Sequence, residues 1–597
     1  MPRSRNSLTP TLAFIVAVLV LLRAAAPGLT FEDSGELAAA ASVFGVPHPP
    51  GFPLLMLIGG AWSKLMGLFG VEPARALVLL SVLSASLCVA FVARFVEGRN
   101  GKRHIAGFLA AALLLASPTF AAQAVVVETY ALAAALTGAM LLAALHARPA
   151  FLGLLFGLAL AAHPASVFLF PLFVFGVLRA GSLRKVGGRA ALGLTLGLSV
   201  YLYVPLAAAG NPAVNWGGID SLSSLMDHLL RRQFGSGPER DLAAQASFVA
   251  EHLVGQWPLL ILVCLVFGLR RPKPQGVGEG NDQSDTSAVL MPDVRLVLAG
   301  VTLLVTALGL FWAQHWPVDE QIARVRLAGS FTPVVVLSAA VVGLLFARIE
   351  ERLDDRLPPP LLLLGGLLLA MVHVAPSYGD DSEHAGQPTL AAFTNMSKVT
   401  EAEAFARTVL EDMPEGGILV VNRLGYSDVL FFPLLYAQVT LELRPDVLVI
   451  DRELLGAAWY RAQLEATHPE LGPALARLAA ATAALPNDAD PRSRRIAHVP
   501  FLRELASNPG GIASNPGGQA SNPAGLAMIG KPSPRIAEGL PLQAQLSFWW
   551  LGEPAPAPEA NSPETQPWPF LNLEPGAYQD PWRQELARLA RARRAVL

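Results

Sequence analysis

The sequence predicts a polytopic α-helical membrane protein that continues into a soluble α/β domain. Of its 597 residues, 53% are hydrophobic and only 15% are charged, a balance too apolar for an ordinary soluble protein. Long apolar runs recur up to residue 376, and short strand-like runs flanked by amphipathic segments follow. These two observations divide the chain into a multispan membrane domain, 1–376, and a C-terminal domain, 377–597.

The charge balance excludes one class of partner. The formal net charge is −2, whereas a protein that binds nucleic acid needs a basic surface to replace the counterions of the phosphates. Nucleic acid is therefore not an expected partner, and the lipid bilayer is. Cys88 and Cys264 both lie within apolar runs, which is more typical of buried or lipid-facing residues than of a disulfide or metal pair.

Eleven apolar stretches are candidates for membrane spans, because crossing roughly 30 Å of hydrocarbon takes about 20 helical residues. The segment 52–70 is bounded by PHPPGFP and contains Trp62 and Lys64, so we interpret it as a helix at the membrane interface. A basic start precedes the first stretch, as in secretory signals, but we interpret that stretch as an uncleaved span. The candidate spans are 11–29, 76–96, 105–122, 129–146, 150–165, 166–179, 190–208, 256–270, 295–313, 328–347 and 359–376.

The basic loops predict the orientation of these spans. Lys and Arg accumulate in cytoplasmic loops, and with 52–70 outside the membrane all the basic loops fall on the side of the N-terminus. If 52–70 spanned the bilayer, GRNGKRH and every later basic loop would move to the opposite side. We therefore expect an integral protein of a bacterial inner membrane with a cytoplasmic N-terminus. The first external loop, 30–75, and the C-terminal domain then lie outside.

The C-terminal domain has the signals of an α/β fold. The segment VTEAEAFARTVLEDM has Thr400 and Glu403 at the spacing of a helix capping box, and the strand-like runs ILVV and VLVI follow it. Near 506–525, a six-residue Asn-Pro-Gly unit repeats. Because Gly and Pro at this density cannot pack a core, we expect a flexible insertion there.

The stretch TFEDSGELAAAASVFGVPHPPGF groups Glu32, Asp33, Glu36 and His48 just after the first span. One interpretation is structural: Asp33 or Ser34 caps a helix, and Glu36 lies in its first turn, where the helix dipole favours a negative charge. The rigid HPPG turn favours a functional interpretation as well, because it returns the chain at once to the membrane surface. A carboxylate held at that boundary is partly desolvated, and its higher basicity suits it to take a proton from a hydroxyl.

Two ionisable residues lie within or beside later spans. Glu128, in VVVETYAL, is at the outer end of a predicted span, where an ionisable side chain either reaches the interface or has a function. His163, in LALAAHPASVFLF, lies deeper and precedes Pro164. It either bonds to the backbone at the proline break or contributes to a site.

The loop that follows the span 190–208 carries RRQF, residues 231–234. Arg231 and Arg232 lie on the predicted external side, against the usual distribution of positive charge. Their guanidinium groups suit the phosphate of a lipid-linked donor. The alternative is ion pairing with Asp227 or Asp241.

Several of these stretches, in this order, resemble the domain-of-unknown-function family 2723. They are EDSGELAAAASVFGVPHPPGFPLLMLIG, SPTFAAQAVVVETYAL, GLALAAHPASVFLFP, YLYVPLAAAGNPAVNWGGIDSLSSLMDHLLRRQF, and PEGGILVVNRLGYSDVLFFPLLYAQ with LRPDVLVIDRELL. The family includes protein O-mannosyltransferases that resemble transmembrane protein 260. The resemblance covers most of residues 30–455.

The resemblance implies a GT-C-like glycosyltransferase of about 11 transmembrane helices with an acidic residue in its first external loop. It makes Asp33 the general base and Glu32 and Glu36 supporting carboxylates. The implied substrate-binding residues are His48, Glu128, His163, Asn215, Trp216, Arg231, Arg232 and Gln233, with the two arginines at the donor phosphate. No cofactor is certain, and a role for a divalent metal ion stays open.

The implied reaction moves a sugar, mannose in the first instance, from a polyprenyl-phosphate donor to a hydroxyl group outside the membrane. The acceptor is Ser or Thr of an exported protein, or an envelope glycan. Attack by the deprotonated hydroxyl on the anomeric carbon displaces the polyprenyl phosphate and inverts the anomeric centre.

Two other classes of function stay open. A transporter or flippase for a lipid-linked sugar would use Glu128 and His163 along its substrate path, and it predicts inverted internal repeats, which we do not see. A non-catalytic envelope scaffold predicts that Asp33→Asn keeps function and that deletion of 377–597 destroys it.

Overall fold

The computed structural model describes most of the membrane domain and the central part of the C-terminal domain. The described residues are 8–98, 103–146, 148–232, 241–250, 252, 293–313, 327–353, 395–422, 427–486, 496–507, 525–529, 542–544 and 549–552.

The described part of the membrane domain is helical. The first helices are α1 (Thr9–Ala24), α2 (Ser34–Ser42), α3 (Pro53–Gly67), α4 (Pro73–Glu97), α5 (His104–Ala116), α6 (Pro118–Ala124) and α7 (Tyr130–Ala143). The later ones are α8 (Pro149–Ala162), α9 (Phe170–Ala180), α10 (Leu183–Leu198), α11 (Tyr203–Ala209), α12 (Leu222–Leu229), α13 (Leu242–Ala250), α14 (Val294–Ala313) and α15 (Thr332–Leu353).

Each predicted span within the described residues coincides with helix, while 256–270 and 359–376 lie outside them. Four described helical segments are long and apolar enough to cross a membrane: Pro73–Glu97, Leu183–Ala209, Val294–Ala313 and Gly329–Glu351. The bent pair α5 and α6 would make a fifth, and several shorter apolar helices accompany them. The chain is thus an integral multispan membrane protein, and the count of eleven stays a prediction.

Prolines break two of the predicted spans. The stretch 105–122 forms two helices bent by 71°; the break is at Ser117, whose side chain accepts a hydrogen bond from the Phe120 N–H and caps α6. Helix α8 ends at His163 in extended backbone geometry, because the residue before a proline is pushed out of the helical region. A short 3-10 helix, Pro164–Leu169, then leads into α9.

Glycines let α8 and α10 approach closely. Gly153 and Gly157 on α8 face Gly193 and Gly197 on α10, and a Cβ built at Gly193 would lie 1.9 Å from the carbonyl oxygen of Ala150. The Gly-x-x-x-Gly spacing on both helices removes side chains from the contact, so the backbones pack directly. This glycine contact fixes the position of α8, whose C-cap residue is His163.

The C-terminal domain contains a five-stranded sheet in the order β2-β1-β3-β5-β4. The strands are β1 (Ile418–Val421), β2 (Leu448–Asp451), β3 (Gly525–Ile529), β4 (Leu542–Ala544) and β5 (Trp549–Gly552). Strands β2 and β3 pair parallel to β1, whereas β5 is antiparallel to both β3 and β4. The helices are α16 (Glu401–Glu411), α17 (Ser427–Val439), α18 (Ala458–Thr467), α19 (Gly472–Ala483) and α20 (Val499–Ser507).

Side chains from the two faces of β1 enter different cores. Leu419 and Val421 join the large core that also contains membrane helices, α16 and α17. Ile418 and Val420 pack with α18, α19 and α20 in a separate core. The parallel strands are therefore covered on both faces, as in other α/β folds.

The structure contradicts one local prediction for the C-terminal domain and leaves most residues of another undescribed. The capping box at Thr400 is wrong, because the Thr400 side chain makes no capping bond and Glu403 instead pairs with Arg407 at 2.8 Å. The Asn-Pro-Gly repeat falls mostly outside the described residues, between the end of α20 at Ser507 and the start of β3 at Gly525.

Candidate active site

Asp33 stands at the start of α2 with its carboxylate open to solvent. Its backbone is at the N-cap position, but its side chain makes no capping hydrogen bond. Ser34 instead accepts a hydrogen bond from the Thr30 N–H at 3.3 Å. The Asp33 side chain is 38% exposed, and its Oδ2 lies 3.7 Å from Nε2 of His48. The structure therefore shows Asp33 facing a histidine across an accessible space.

Glu36 lies one helical turn further along α2 and is completely buried. Its carboxylate accepts two hydrogen bonds from His48, one from the backbone N–H at 2.8 Å and one at Nδ1 at 2.5 Å. The side chain of Glu36 is therefore enclosed by the protein and fixed against His48. The three side chains form a chain in the order Glu36, His48, Asp33.

The charges of this group hold a proton on His48. Burial alone would lower the pKa of His48, but the neighbouring carboxylates of Glu36 and Asp33 raise it above the usual value. Burial also raises the pKa of Glu36, although the bonds from His48 oppose this shift. The two neighbouring carboxylates therefore favour the protonated form of His48.

The HPPG turn directs the chain from His48 back to the membrane. The Gly51 N–H donates to the carbonyl of His48 at 2.9 Å, and the Pro49–Pro50 bond is cis. Gly51 has a φ of +86°, and a Cβ there would lie 3.1 Å from Nε2 of His228. Only glycine fits both the backbone geometry and the space. The turn also places the Phe52 ring 5.1 Å from the His48 ring.

Glu128 brings a further carboxylate to the same place. It lies in the turn between α6 and α7, outside both helices, and it accepts a hydrogen bond from the Thr129 N–H at 3.2 Å. Burial, together with the negative charges of Asp33 and Glu32, raises the pKa of Glu128 well above its usual value. Carboxylates that share a site cannot all ionise at low cost. Burial and the neighbouring negative charges therefore favour the protonated form of Glu128.

His163 is both a backbone cap and part of an aromatic stack. Its Nδ1 accepts a hydrogen bond from the Ala165 N–H at 3.2 Å, so the ring bonds to the backbone at the proline break, although the sequence favours the carbonyl freed by Pro164 as its partner. Its ring also stacks on Phe52 with centroids 6.1 Å apart and lies 4.8 Å from the ring of Tyr130. The stack continues from His48 through Phe52 to His163, so His163 supports the site from the membrane side.

The NPAVNWG loop fixes the segment just before the HPPG turn. Val46 exchanges backbone hydrogen bonds with Val214 and Trp216, at 2.8 and 3.0 Å, and forms a parallel bridge with Asn215. The Trp216 ring lies 6.3 Å from that of His48 and 4.9 Å from that of Trp459 on α18. Trp216 therefore connects the site to the C-terminal domain.

The two arginines of RRQF have different surroundings. The positive charge of Arg231 is close enough to act on the pKa of His48. Arg232 forms an exposed ion pair with Asp227 at 2.8 Å, which is one of the alternatives open from the sequence. Gln233 lies outside the described residues. Arg231 is thus the arginine of the pair whose charge reaches His48.

His228 is a residue of this region that sequence reasoning missed. It lies on α12, is 2% exposed, and packs between Gly51 and Gly217. Neither of its ring nitrogens has a hydrogen-bond partner within the described ranges. Burial, with the charge of His48, lowers its pKa to about 4. No sequence signal could have identified it, because its burial depends on a turn that is distant in the chain.

A helix of the C-terminal domain supports α2 from behind. A Cβ built at Gly35 would lie 2.5 Å from the carbonyl oxygen of Phe432 on α17, so the two backbones touch. The hydroxyls of Ser42 and Thr440 are 3.0 Å apart, and the Tyr436 hydroxyl accepts from the Ala74 N–H at 3.3 Å. The position of α2 therefore depends on α17.

Metal binding is not resolved by this geometry. In the part of the chain that the structure describes, no three or more His, Cys, Asp or Glu side chains are arranged to hold a metal ion.

Comparisons with known proteins found a family model that matches the first part of the chain. Residues 33–185 match the model of the Protein O-mannosyl-transferase TMEM260 N-terminal domain. Protein O-mannosyl-transferase TMEM260 of Mus musculus is 25% identical over 483 residues, which cover 75% of this chain and 63% of the mouse protein. The match therefore spans less than two thirds of that relative.

Two solved structures are also similar at low identity. They are crystal structures of ArnT from Cupriavidus metallidurans, and each match covers 90% of the ArnT chain. The TM-score is 0.44 for ArnT bound to undecaprenyl phosphate and 0.45 for ArnT in the apo state. Their identities to this chain are 13% and 12%, over 74% and 75% of its length. The family match, which begins at Asp33 and includes Glu36, His48, Glu128 and His163, confirms the resemblance of this chain to the TMEM260-like protein O-mannosyltransferases.

Proposed function

We propose that this protein is a membrane glycosyltransferase that moves mannose from a polyprenyl-phosphate donor to a hydroxyl of an extracytoplasmic acceptor. The acceptor class is Ser or Thr of an exported protein. The observation that carries the proposal is the accessible carboxylate of Asp33, held beside His48 by the buried Glu36. The name of the mouse relative supports the sugar and the acceptor class.

In this mechanism Asp33 is the general base. It takes the proton of the acceptor hydroxyl as the oxygen attacks the anomeric carbon of the donor. The bond between that carbon and the phosphate oxygen breaks, and its electron pair leaves with the polyprenyl phosphate. One displacement at one carbon inverts the anomeric configuration, and a positioned base of this kind contributes about 10²–10⁴ to the rate.

The neighbouring residues act on Asp33 or on the donor. Glu36 orients His48, and His48 in turn lies beside the Asp33 carboxylate and holds it in position. In its protonated form, Glu128 adds no negative charge near the donor phosphate. Arg231 supplies positive charge to that phosphate as it leaves. Glu32 remains a proposed supporting carboxylate. The other proposed substrate contacts are Asn215, Trp216, Arg232 and Gln233.

The topology is part of the proposal. The site and the C-terminal domain, 377–597, lie on the external face, and the N-terminus lies in the cytoplasm, with eleven spans within residues 1–376. The packing of α17 against α2 supports a common side for the first external loop and the C-terminal domain. Donor and acceptor then meet at the outer membrane surface.

The test is a transfer assay with purified full-length protein, radiolabelled polyprenyl-phosphate mannose and a mixture of exported proteins. We expect label to enter protein and to be released by alkaline β-elimination, as an O-link to Ser or Thr requires. Label that enters only a glycan fraction would change the acceptor class. Donor that crosses the vesicle membrane without transfer would contradict the proposal and favour a flippase.

A further inference from the structure

A second cavity lies at the opposite end of the membrane helices from Asp33. Helix α4 runs from Pro73, beside Tyr436 of the C-terminal domain, to Glu97, and its 25 residues extend about 37 Å at 1.5 Å per residue. The cavity, of 470 Å³, opens at the far end of α4, beside Arg94 and Gly98. It therefore belongs to the other membrane face.

The lining combines an apolar wall with a group of cations. Leu142, Leu145, Phe95 and Val294 supply the apolar wall. The charged and titratable lining residues are four arginines, one histidine and two carboxylates, namely Arg94, Arg103, Arg179, Arg295, His146, Glu97 and Glu351. Cations thus outnumber anions around a pocket that is open on one side.

Two of the lining arginines, Arg103 and Arg295, are held by ion pairs and hydrogen bonds within the protein. Arg103 bonds to Asp293 at 2.9 Å and to Glu351 at 2.7 Å. Arg295 bonds to Asp293 at 2.9 Å and donates to the backbone carbonyls of Phe95 and Val96 at 3.1 Å. These bonds join α4, α5, α14 and α15 into a rigid frame.

The other two lining arginines, Arg94 and Arg179, retain N–H groups that can donate hydrogen bonds into the cavity. Arg94 donates to the Gly98 carbonyl and lies 3.6 Å from the Glu97 carboxylate, which leaves several of its five N–H groups. Arg179, at the end of α9, is exposed and has no ion pair with any residue that the structure describes. The His146 Nδ1 donates to the Leu142 carbonyl at 2.6 Å, so this N–H is used within the protein.

We propose that this cavity binds the phosphate group of an anionic lipid, with Arg94 and Arg179 as its contacts. A guanidinium group pairs well with phosphate oxygens, and basic pockets between membrane helices suit lipid headgroups. The apolar wall favours a lipid over a free phosphate, because it can cover the first carbons of the acyl chains. This site is separate from the proposed transfer site and does not depend on it.

The experiment compares the wild type with Arg179→Gln and Arg94→Gln, and uses Arg189→Gln as the matched control. Arg189 is an exposed arginine on α10 that does not line the cavity. Each full-length protein is placed in phosphatidylcholine nanodiscs with added phosphatidylglycerol, and retained lipid is counted by native mass spectrometry. Separate arms add glycerol 3-phosphate or inorganic phosphate, with thermal unfolding as the readout.

We expect Arg179→Gln and Arg94→Gln each to weaken phosphatidylglycerol retention about tenfold, and Arg189→Gln to leave it unchanged. Arginine-dependent stabilisation by glycerol 3-phosphate alone would overturn the lipid assignment and give the pocket a soluble phosphorylated ligand. Equal lipid retention by all four proteins would overturn the site. Arg179→Gln removes no described ion pair, so it remains a fair test if Arg94→Gln unfolds.

Discussion

The two ends of the membrane domain, the proposed inner end at the cavity and the proposed outer end at Asp33, use buried charge in opposite ways. At the inner cavity, burial alone would raise the pKa of Asp293, but hydrogen bonds from Arg295 and Arg103 lower it to about 2. At the outer site, burial and the charges of Asp33 and Glu32 raise the pKa of Glu128 well above its usual value. The inner acids have arginine partners, whereas the outer acids face one another.

This difference separates structural acids from functional ones. A carboxylate with two arginine partners stabilises the fold and has little freedom to exchange a proton. Carboxylates grouped around one histidine cost stability, and a fold retains such a group where proton transfer is needed. We therefore expect substitutions at the outer site to change activity first, and substitutions at the inner frame to change stability first.

Among the residues that surround Asp33, the largest effect is expected from Glu36→Gln. The amide keeps the shape of the side chain but loses the charge that holds His48, so we expect sugar transfer to fall about 100-fold. His48→Gln should have a similar effect, and the double variant should be no worse than either single one. Glu351→Gln at the inner end is the matched control, with transfer unchanged. Additive losses in the double variant would contradict the Glu36–His48 unit.

Gly35→Ala tests how α17 holds the site. The added methyl group would meet the Phe432 carbonyl at 2.5 Å, and overpacking of this kind costs about 1–3 kcal/mol. We expect a lower free energy of unfolding and slower transfer. Gly67→Ala is the control, because a Cβ at Gly67 has no atom within 4 Å. Equal stability of the two variants would show that α17 does not constrain α2.

Glu128→Gln should change the pH dependence of transfer. Because the pKa of Glu128 is raised, the carboxyl is neutral below that pKa and gains a negative charge as the pH rises through it. That charge repels the donor phosphate, so we expect wild-type transfer to fall about fivefold on the alkaline side, a cost of about 1 kcal/mol. Gln stays neutral and should remove this fall. An alkaline fall that is identical in both proteins would assign it to another group.

Sequence reasoning could predict contacts between residues that are close together in the chain. Asp33, Glu36 and His48 were grouped because one helix and one rigid turn connect them. The bend at Ser117 was missed, because average hydrophobicity treats 105–122 as one span even though Pro118 marks the break. The contact of Gly35 with Phe432 and the burial of His228 were also missed, since each depends on packing between segments far apart in sequence.

The most direct test of the account makes the same chemical change at each end, with Asp33→Asn and Asp293→Asn in otherwise identical full-length protein. We expect Asp33→Asn to lower the transfer rate about a thousandfold with unchanged thermal unfolding. Asp293→Asn should keep transfer and lose about 1–2 kcal/mol of stability near neutral pH. That stability is present above the ordinary pKa of 3.8 and is lost as the pH falls through about 2. Wild-type transfer by Asp33→Asn would contradict the assignment of the base.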